Sequence, residues 1–153
     1  MPQFSTKRRV GHAATKMFDL VADVERYPEF VPFCKSLKVR RRSTDARGRD
    51  LLVCDMTIAY KLIQETFTTS VTFDKPALQI IVDYLNGPFR RLENRWAFRA
   101  VEERACDVEF FLLYEFKSRA LALLMGAMFE AVFRRFADAF ERRADQIYAG
   151  NAA

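Results

Sequence analysis

The sequence predicts an α+β domain in which a curved antiparallel sheet of about six or seven strands wraps around one long C-terminal helix. Three observations point there. From Leu52 to Phe116 apolar residues recur at every second position in run after run, the period of half-buried strands. Turn-forming clusters, among them Asp45–Gly48, Asp74–Pro76 and Asn86–Pro88, separate the runs. Strands joined by links that short pair antiparallel. After Ser118 the period becomes helical and stays so.

The elements follow in order. Gln3 to Val10 alternates weakly and reads as a first strand. Met17, Phe18, Val21 and Val24 fall at helical spacing, with Gly11 or His12 at the entry. Tyr27-Pro28 and Val31-Pro32 then allow only a short second helix, because a residue before proline is pushed out of the helical region. A basic strand with Lys35, Lys38, Arg40, Arg41 and Arg42 comes next. One face of each later strand carries the apolar set: Leu52, Cys54, Met56, Ile58 and Tyr60, then Phe67, Thr69, Val71 and Phe73. Leu78, Ile80, Val82 and Tyr84 give a further strand, and Leu92, Trp96 and Phe98 another. Val108, Phe110, Leu112, Tyr114 and Phe116 give the last. Leu121, Met125, Met128, Phe129, Val132, Phe133, Phe136 and Phe140 form the stripe of the terminal helix, with Ser118 as its N-cap. Continuous from Arg119 to Tyr148, that helix would be about 45 Å long at ~1.5 Å per residue.

Composition bounds the function. A chain of 153 residues that is 50% hydrophobic, with 15 Phe, is expected to form one domain over 1–148 with a disordered tail at 149–153. The longest apolar run, Ala120 to Phe129, ends at Glu130, well short of the ~20 residues that span a bilayer. No apolar segment follows the basic Lys7-Arg8-Arg9, so no export signal is expected. Cys34, Cys54 and Cys106 with the single His12 make no metal-binding spacing and read as buried thiols in a reducing compartment, the cytoplasm. Residues 1–50 hold twelve Lys/Arg against six Asp/Glu, and 51–153 hold thirteen against fourteen, so the net charge of +5 comes from the first third. A basic face of that kind serves solubility, or meets anionic lipid or RNA.

A twisted sheet curled around a helix leaves space where the two curvatures differ, and here both surfaces are rich in Phe, Met and Leu. The expected product is a deep apolar cavity that binds a ligand. Its candidate walls are Met56, Ile58, Tyr60, Val71, Phe73, Ile80, Val82 and Tyr84 with Trp96, Phe98, Phe110, Leu112 and Tyr114 from the sheet. Met125, Phe129, Val132, Phe133 and Phe136 would close it from the helix. Tyr60, Tyr84 or Tyr114 would offer a hydroxyl to a ligand oxygen. Tyr27, Phe30, Pro32 and Phe33 are expected as a mobile lip, and Lys35, Lys38 and Arg40 to Arg42 as a patch docking on an anionic surface. An enzyme would need a positioned acid or base. Asp55, Asp83, Glu93, Glu109 and Glu115 fall on the outer face, His12 reads as a cap or surface residue, and Arg8 and Asn94 make poor bases. No catalytic residue, metal or redox cofactor is expected.

Three stretches carry a resemblance: "LVADVERYPEFVPFC" at 20–34, "NGPFRRLENRWAF" at 86–98 and "FRRFADAFERRA" at 133–144. Together with the order of elements they resemble the START-like, helix-grip superfamily, which includes polyketide cyclases, and within it the coenzyme-Q-binding proteins and their bacterial RatA-type relatives. The resemblance covers almost the whole chain. It implies a chaperone-like protein that binds ubiquinone or a related polyprenyl lipid as ligand, supporting respiration or quinone synthesis, with contact at the inner face of the membrane. RatA-type members imply instead a toxin that binds the large ribosomal subunit and hinders initiation. A cyclase or aromatase is the third reading.

Overall fold

The chain runs β1 (Gln3–Val10), α1 (Ala14–Ala22), a 3₁₀ turn (Val24–Glu29), β2 (Cys34–Thr44), β3 (Asp50–Tyr60), β4 (Ile63–Asp74), β5 (Gln79–Asn86), β6 (Phe89–Glu102), β7 (Ala105–Phe116) and α2 (Arg119–Tyr148). This is the course of the computed structural model, which describes residues 3–148; the tail expected at 149–153 lies outside the described residues. The seven strands form one antiparallel sheet in the order β1-β7-β6-β5-β4-β3-β2. From β2 to β7 the chain is a meander, and β1 closes on β7 from the far side, leaving β1 and β2 as the two edges.

The two short helical pieces between those edges are held by packing. Ala13 offers α1 no side-chain cap, and nine residues are too few to hold a helix in water. Met17, Phe18, Leu20 and Val21 are instead buried against the sheet. Pro28 confines the second piece to a 3₁₀ turn, and the Tyr27 hydroxyl donates to the Val21 carbonyl to tie the two together.

α2 lies across the concave face with Met125, Met128, Phe129, Val132 and Phe140 buried beneath it. The Ser118 Oγ accepts from the Leu121 N–H at 3.1 Å, the expected N-cap. Its polar fastenings to the rest of the chain crowd into the C-terminal half. Arg8 reaches Asp138 and Glu141 at 2.7 and 3.1 Å, Arg143 reaches Glu29 at 2.7 Å, and Tyr148 donates to the Lys16 carbonyl at 3.0 Å. His12 belongs to this set rather than to the surface: its Nε2 stands 2.7 Å from Asp145, and only 13% of its side chain is exposed. The helix end covers it, a tertiary contact 133 residues distant that local sequence does not announce.

Phe89 sits at the centre of the aromatic core, 1% exposed, with Phe67, Tyr84, Phe116 and Phe129 at ring-centroid distances of 5.0–5.6 Å. The turn before it requires glycine. Gly87 has φ +147°, and a Cβ there would lie 2.6 Å from the Phe67 Cβ. The Tyr84 hydroxyl accepts the Phe89 N–H at 3.0 Å, so the Gly-Pro-Phe turn is pinned from below. Gly87→Ala is expected to cost about 3 kcal/mol of stability in urea unfolding, from backbone strain and the clash together, with m unchanged. Phe89→Ala should cost roughly 3–5 kcal/mol by the same measurement.

Candidate ligand-binding site

Between the concave face and α2 lies a cavity of about 110 Å³. Its wall is mostly aliphatic on the sheet side and aromatic on the helix side, and the twisted sheet and the helix do not match in curvature. Met56 and Ile58 line it from β3, Val71 from β4, Ile80 and Val82 from β5, Trp96 from β6, and Phe110 and Leu112 from β7. Phe129, Val132, Phe133 and Phe136 close it from α2. All of these are among the candidate wall residues.

Five other candidates on the concave face, and Met125 on α2, do not reach the cavity. Tyr60 packs edge-on to Phe33 at 4.9 Å, Phe98 against Phe18 at 5.9 Å, and Tyr114 against Phe4 and Phe129 at 6.3 and 5.4 Å. Phe73 borders a surface groove with Phe18 and Leu52, and Met125 is wholly buried under the helix. The hydroxyl of Tyr84 is committed to Phe89, as above. Distance along the strand separates the two groups, since only the middle of the sheet stands clear of the helix. Leu92, Thr69, Cys54 and Phe67 line the cavity too, on strand faces whose alternation already marked them as inward. Val24, Val31, Cys34 and Leu37 also line it. Val24 and Val31 are placed by how the helical connection folds over the sheet, which no local pattern carries, and Cys34 and Leu37 by the pairing of β2 with Ile58 and Met56 of β3.

In this structure the four residues expected as a lip are packed against their surroundings. Tyr27 is 6% exposed and lines the cavity from inside, its ring edge-on to Phe30 and Phe140 at 6.0 and 5.3 Å. Pro32 lines the cavity beside it. Phe30 lies under the Arg143 guanidinium, 5.1 Å from the ring. Phe33 takes φ +63°, a sparsely populated backbone region, and is held there three ways: its carbonyl accepts from Ala59, its ring meets Tyr60, and Arg135 lies over it at 5.9 Å. The aromatic residues around the prolines clamp the connection to α2 and β3.

The wall carries no charge at neutral pH. Burial pushes the thiols of Cys34 and Cys54 up to about 11, and it pushes the Tyr27 phenol up as well. Among the described residues no Asp, Glu, His, Lys or Arg lines the cavity. Its polar groups include the Thr69 hydroxyl and the amide of Asn94, which donates one N–H to the Phe111 carbonyl at 2.8 Å and keeps a second donor and an acceptor. Asp55 is engaged by Thr68 and Arg40, Glu93 by Arg91, Glu109 by Arg99 and Glu115 by Arg90, all away from the cavity, and Asp83 is exposed. Among the described residues no cluster of His, Cys, Asp and Glu could hold a metal ion. What this arrangement can do is enclose an apolar group and meet one or two polar atoms on it.

The basic segment forms the β2 edge. Lys35 donates to Gln64 at 2.9 Å, Arg40 faces Asp55 at 3.5 Å, and Arg42 pairs with Glu25. Lys38 and Arg41 are exposed and have no ion-pair partner among the described residues. The most exposed large apolar side chains are elsewhere: Leu62 at the β3–β4 turn and Leu123 and Leu124 in the first turns of α2. Among the described residues no helix is long and apolar enough to cross a membrane.

A helix gripped by a curled antiparallel sheet defines a domain of the START-like, helix-grip class. The chain belongs to the polyketide cyclase/dehydrase and lipid transport family, which matches residues 10–141. It is 37% identical over 148 residues to a Vibrio cholerae protein named ribosome association toxin RatA, covering 97% of this chain and 99% of that one. It is 26% identical over 140 residues to a mitochondrial coenzyme Q-binding protein of Drosophila melanogaster, covering 90% of this chain and 56% of that one. The solution structure of an 18 kDa protein from Caulobacter crescentus superposes with a TM-score of 0.78 at 30% identity, over 97% and 99% of the two chains.

The thiols give a direct check on the site. With pKa values of about 11, Cys34 and Cys54 should be thiolate to on the order of one part in a thousand at pH 8, so a small alkylating reagent should label native protein slowly. Because the pKa is raised, the rate should climb about tenfold per pH unit until it levels near 11. Rapid labelling of native protein at pH 8, read by mass spectrometry, would contradict the closed, uncharged wall.

Proposed function

We propose that the protein is a non-catalytic carrier that binds a prenylated quinone ring-first in the cavity beneath α2. The observation that supports it most is the wall itself: apolar and uncharged, with the Thr69 and Asn94 donors set into the sheet side. Quinone oxygens are acceptors only. Thr69 and Asn94 stand on β4 and β6 with β5 between them, opposite Tyr84 and Val82, so their backbones are roughly 10 Å apart across the sheet at ~4.8 Å per strand and two residues apart along it. The two carbonyl oxygens of a para-quinone project from opposite ends of the ring, and donors spread in this way suit them. At about 110 Å³ the cavity is smaller than an engineered one of ~150 Å³ that takes benzene, so a substituted quinone ring enters only as the wall side chains move apart. A prenyl tail needs further room, and each methylene it buries contributes roughly 0.8 kcal/mol toward opening it. The similarity to a protein named for coenzyme Q binding supports the same ligand class.

A carrier must also reach the bilayer. Lys38 and Arg41 supply unpaired positive charge on the β2 edge, and Leu62, Leu123 and Leu124 supply exposed apolar side chains. The similarity to a protein named ribosome association toxin favours a second reading, in which the same two cations meet ribosomal RNA phosphate.

Protein purified gently from a quinone-containing host should yield a near-stoichiometric prenylated quinone on solvent extraction and mass spectrometry. A short-tailed quinone should quench Trp96, which lines the cavity, and Val82→Phe should weaken that binding at least tenfold while leaving the far-ultraviolet circular dichroism unchanged. An empty extract with no quenching would rule out the carrier reading. Lys38→Glu with Arg41→Glu is expected to abolish flotation with anionic vesicles at physiological salt. Co-sedimentation with the large ribosomal subunit, lost in the same double variant, would instead establish the second reading.

A further inference from the structure

A second cavity of about 50 Å³ lies beside the first, between β1, β7 and the C-terminal half of α2. It is lined by Phe4, Val10, Met17, Val108, Ala137 and Phe140, with Arg8 and Glu141 at one side. Four side chains, Trp96, Phe110, Phe133 and Phe136, line both cavities. Their ring centroids lie 4.8–5.9 Å apart, so the wall between the two spaces is a single layer of rings. Phe133 and Phe136 are the helix half of that wall, one turn apart, and neither is fully buried. A rotamer change at either moves a ring without disturbing a hydrogen bond, because neither side chain has one to lose.

We propose that the second cavity is the subsite for the ligand's hydrocarbon tail, reached when the Phe133–Phe136 pair swings aside, and that it sets the tail length the protein prefers. This rests on the carrier reading and goes beyond it by assigning the tail a path under α2 and an end. The path ends at Arg8. Its guanidinium is held by Asp138 at 2.7 Å and Glu141 at 3.1 Å, and an apolar tail can form no interaction that replaces those pairs. A tail that fills the subsite therefore gains from every methylene up to this stop and nothing beyond it. The ring stays in the first cavity, because that wall carries Thr69 and Asn94, whereas the second offers the already paired Arg8 cluster, the Thr6 hydroxyl and the Trp96 indole, which both cavities share.

The test is a series of benzoquinones bearing one, two or four isoprene units, titrated into the full-length protein with Trp96 fluorescence as the readout. Val108 lines the second cavity and not the first, so Val108→Phe fills the second from β7 and meets the first only through the shared rings. It should bind the one-unit quinone as the wild type does and the four-unit quinone at least tenfold more weakly, the loss of about two methylenes at roughly fourfold each. Ala137→Leu fills the same space from α2 and should do the same if Val108→Phe fails to fold. Equal affinity of wild type and filled variants for the four-unit quinone would overturn the subsite while leaving the carrier reading intact, since the tail would then leave by another route. No binding at any tail length would overturn both.

Discussion

Everything in this domain depends on the contact between α2 and the concave face of the sheet, and that contact is made of aromatic rings. Phe129, Phe133, Phe136 and Phe140 descend from the helix onto Phe89, Trp96, Phe110 and Tyr114. Rings bury a large area per side chain and hold few rotamers, so they hold the helix firmly with few residues. They are also poor at filling a gap between surfaces of unequal curvature. The cavities lie where these rings meet the aliphatic face of the sheet, so the side chains that hold the helix also bound the space beneath it.

The polar contacts are distributed to suit. On the sheet's outer side Arg9 grips Asp107 at 2.9 Å and joins β1 to β7, which closes the meander. Around α2 the ion pairs and hydrogen bonds gather on the C-terminal half, while the N-terminal half is retained chiefly by Met125, Met128 and Phe129. The basic residues of β2 have a structural use whatever they bind, since charge on an edge strand keeps two copies from pairing edge to edge. Three of the five are engaged with Gln64, Asp55 or Glu25, which narrows any docking role to Lys38 and Arg41.

Much of this was legible in the sequence, and the part that was not has a physical reason. Period-two alternation places Met56, Ile58, Val71 and Trp96 on the inner face because register is a local property of each strand. The helical stripe from Leu121 to Phe140 places α2 for the same reason. Alternation cannot say where along a strand the helix lifts away, so Tyr60, Phe73 and Tyr84 read like wall residues although they stand beyond the cavity. The Tyr-Pro and Val-Pro corners were harder. Two prolines forbid a helix but do not say which way the chain turns next, and Tyr27 turned inward to bond Val21. His12 and Asp145 meet only because the last helix returns to the first strand.

The strand order has a consequence for how the chain is made. β2 to β7 pair each with its predecessor, so that part of the sheet grows as the ribosome delivers it. β1 must wait for β7, whose partner residues lie about a hundred positions later, and at ~5–20 residues per second the delay is roughly 5–20 seconds. Through that interval the first strand is an open edge in a crowded cell. Lys7, Arg8 and Arg9 give it the charge that discourages wrong partners; Asp107, which later engages Arg9, arrives with β7, and the carboxylates that engage Arg8 arrive later still. α2 comes last of all, so the roof is laid over a sheet that already stands, and the nascent chain passes through a stage in which the binding face is fully open.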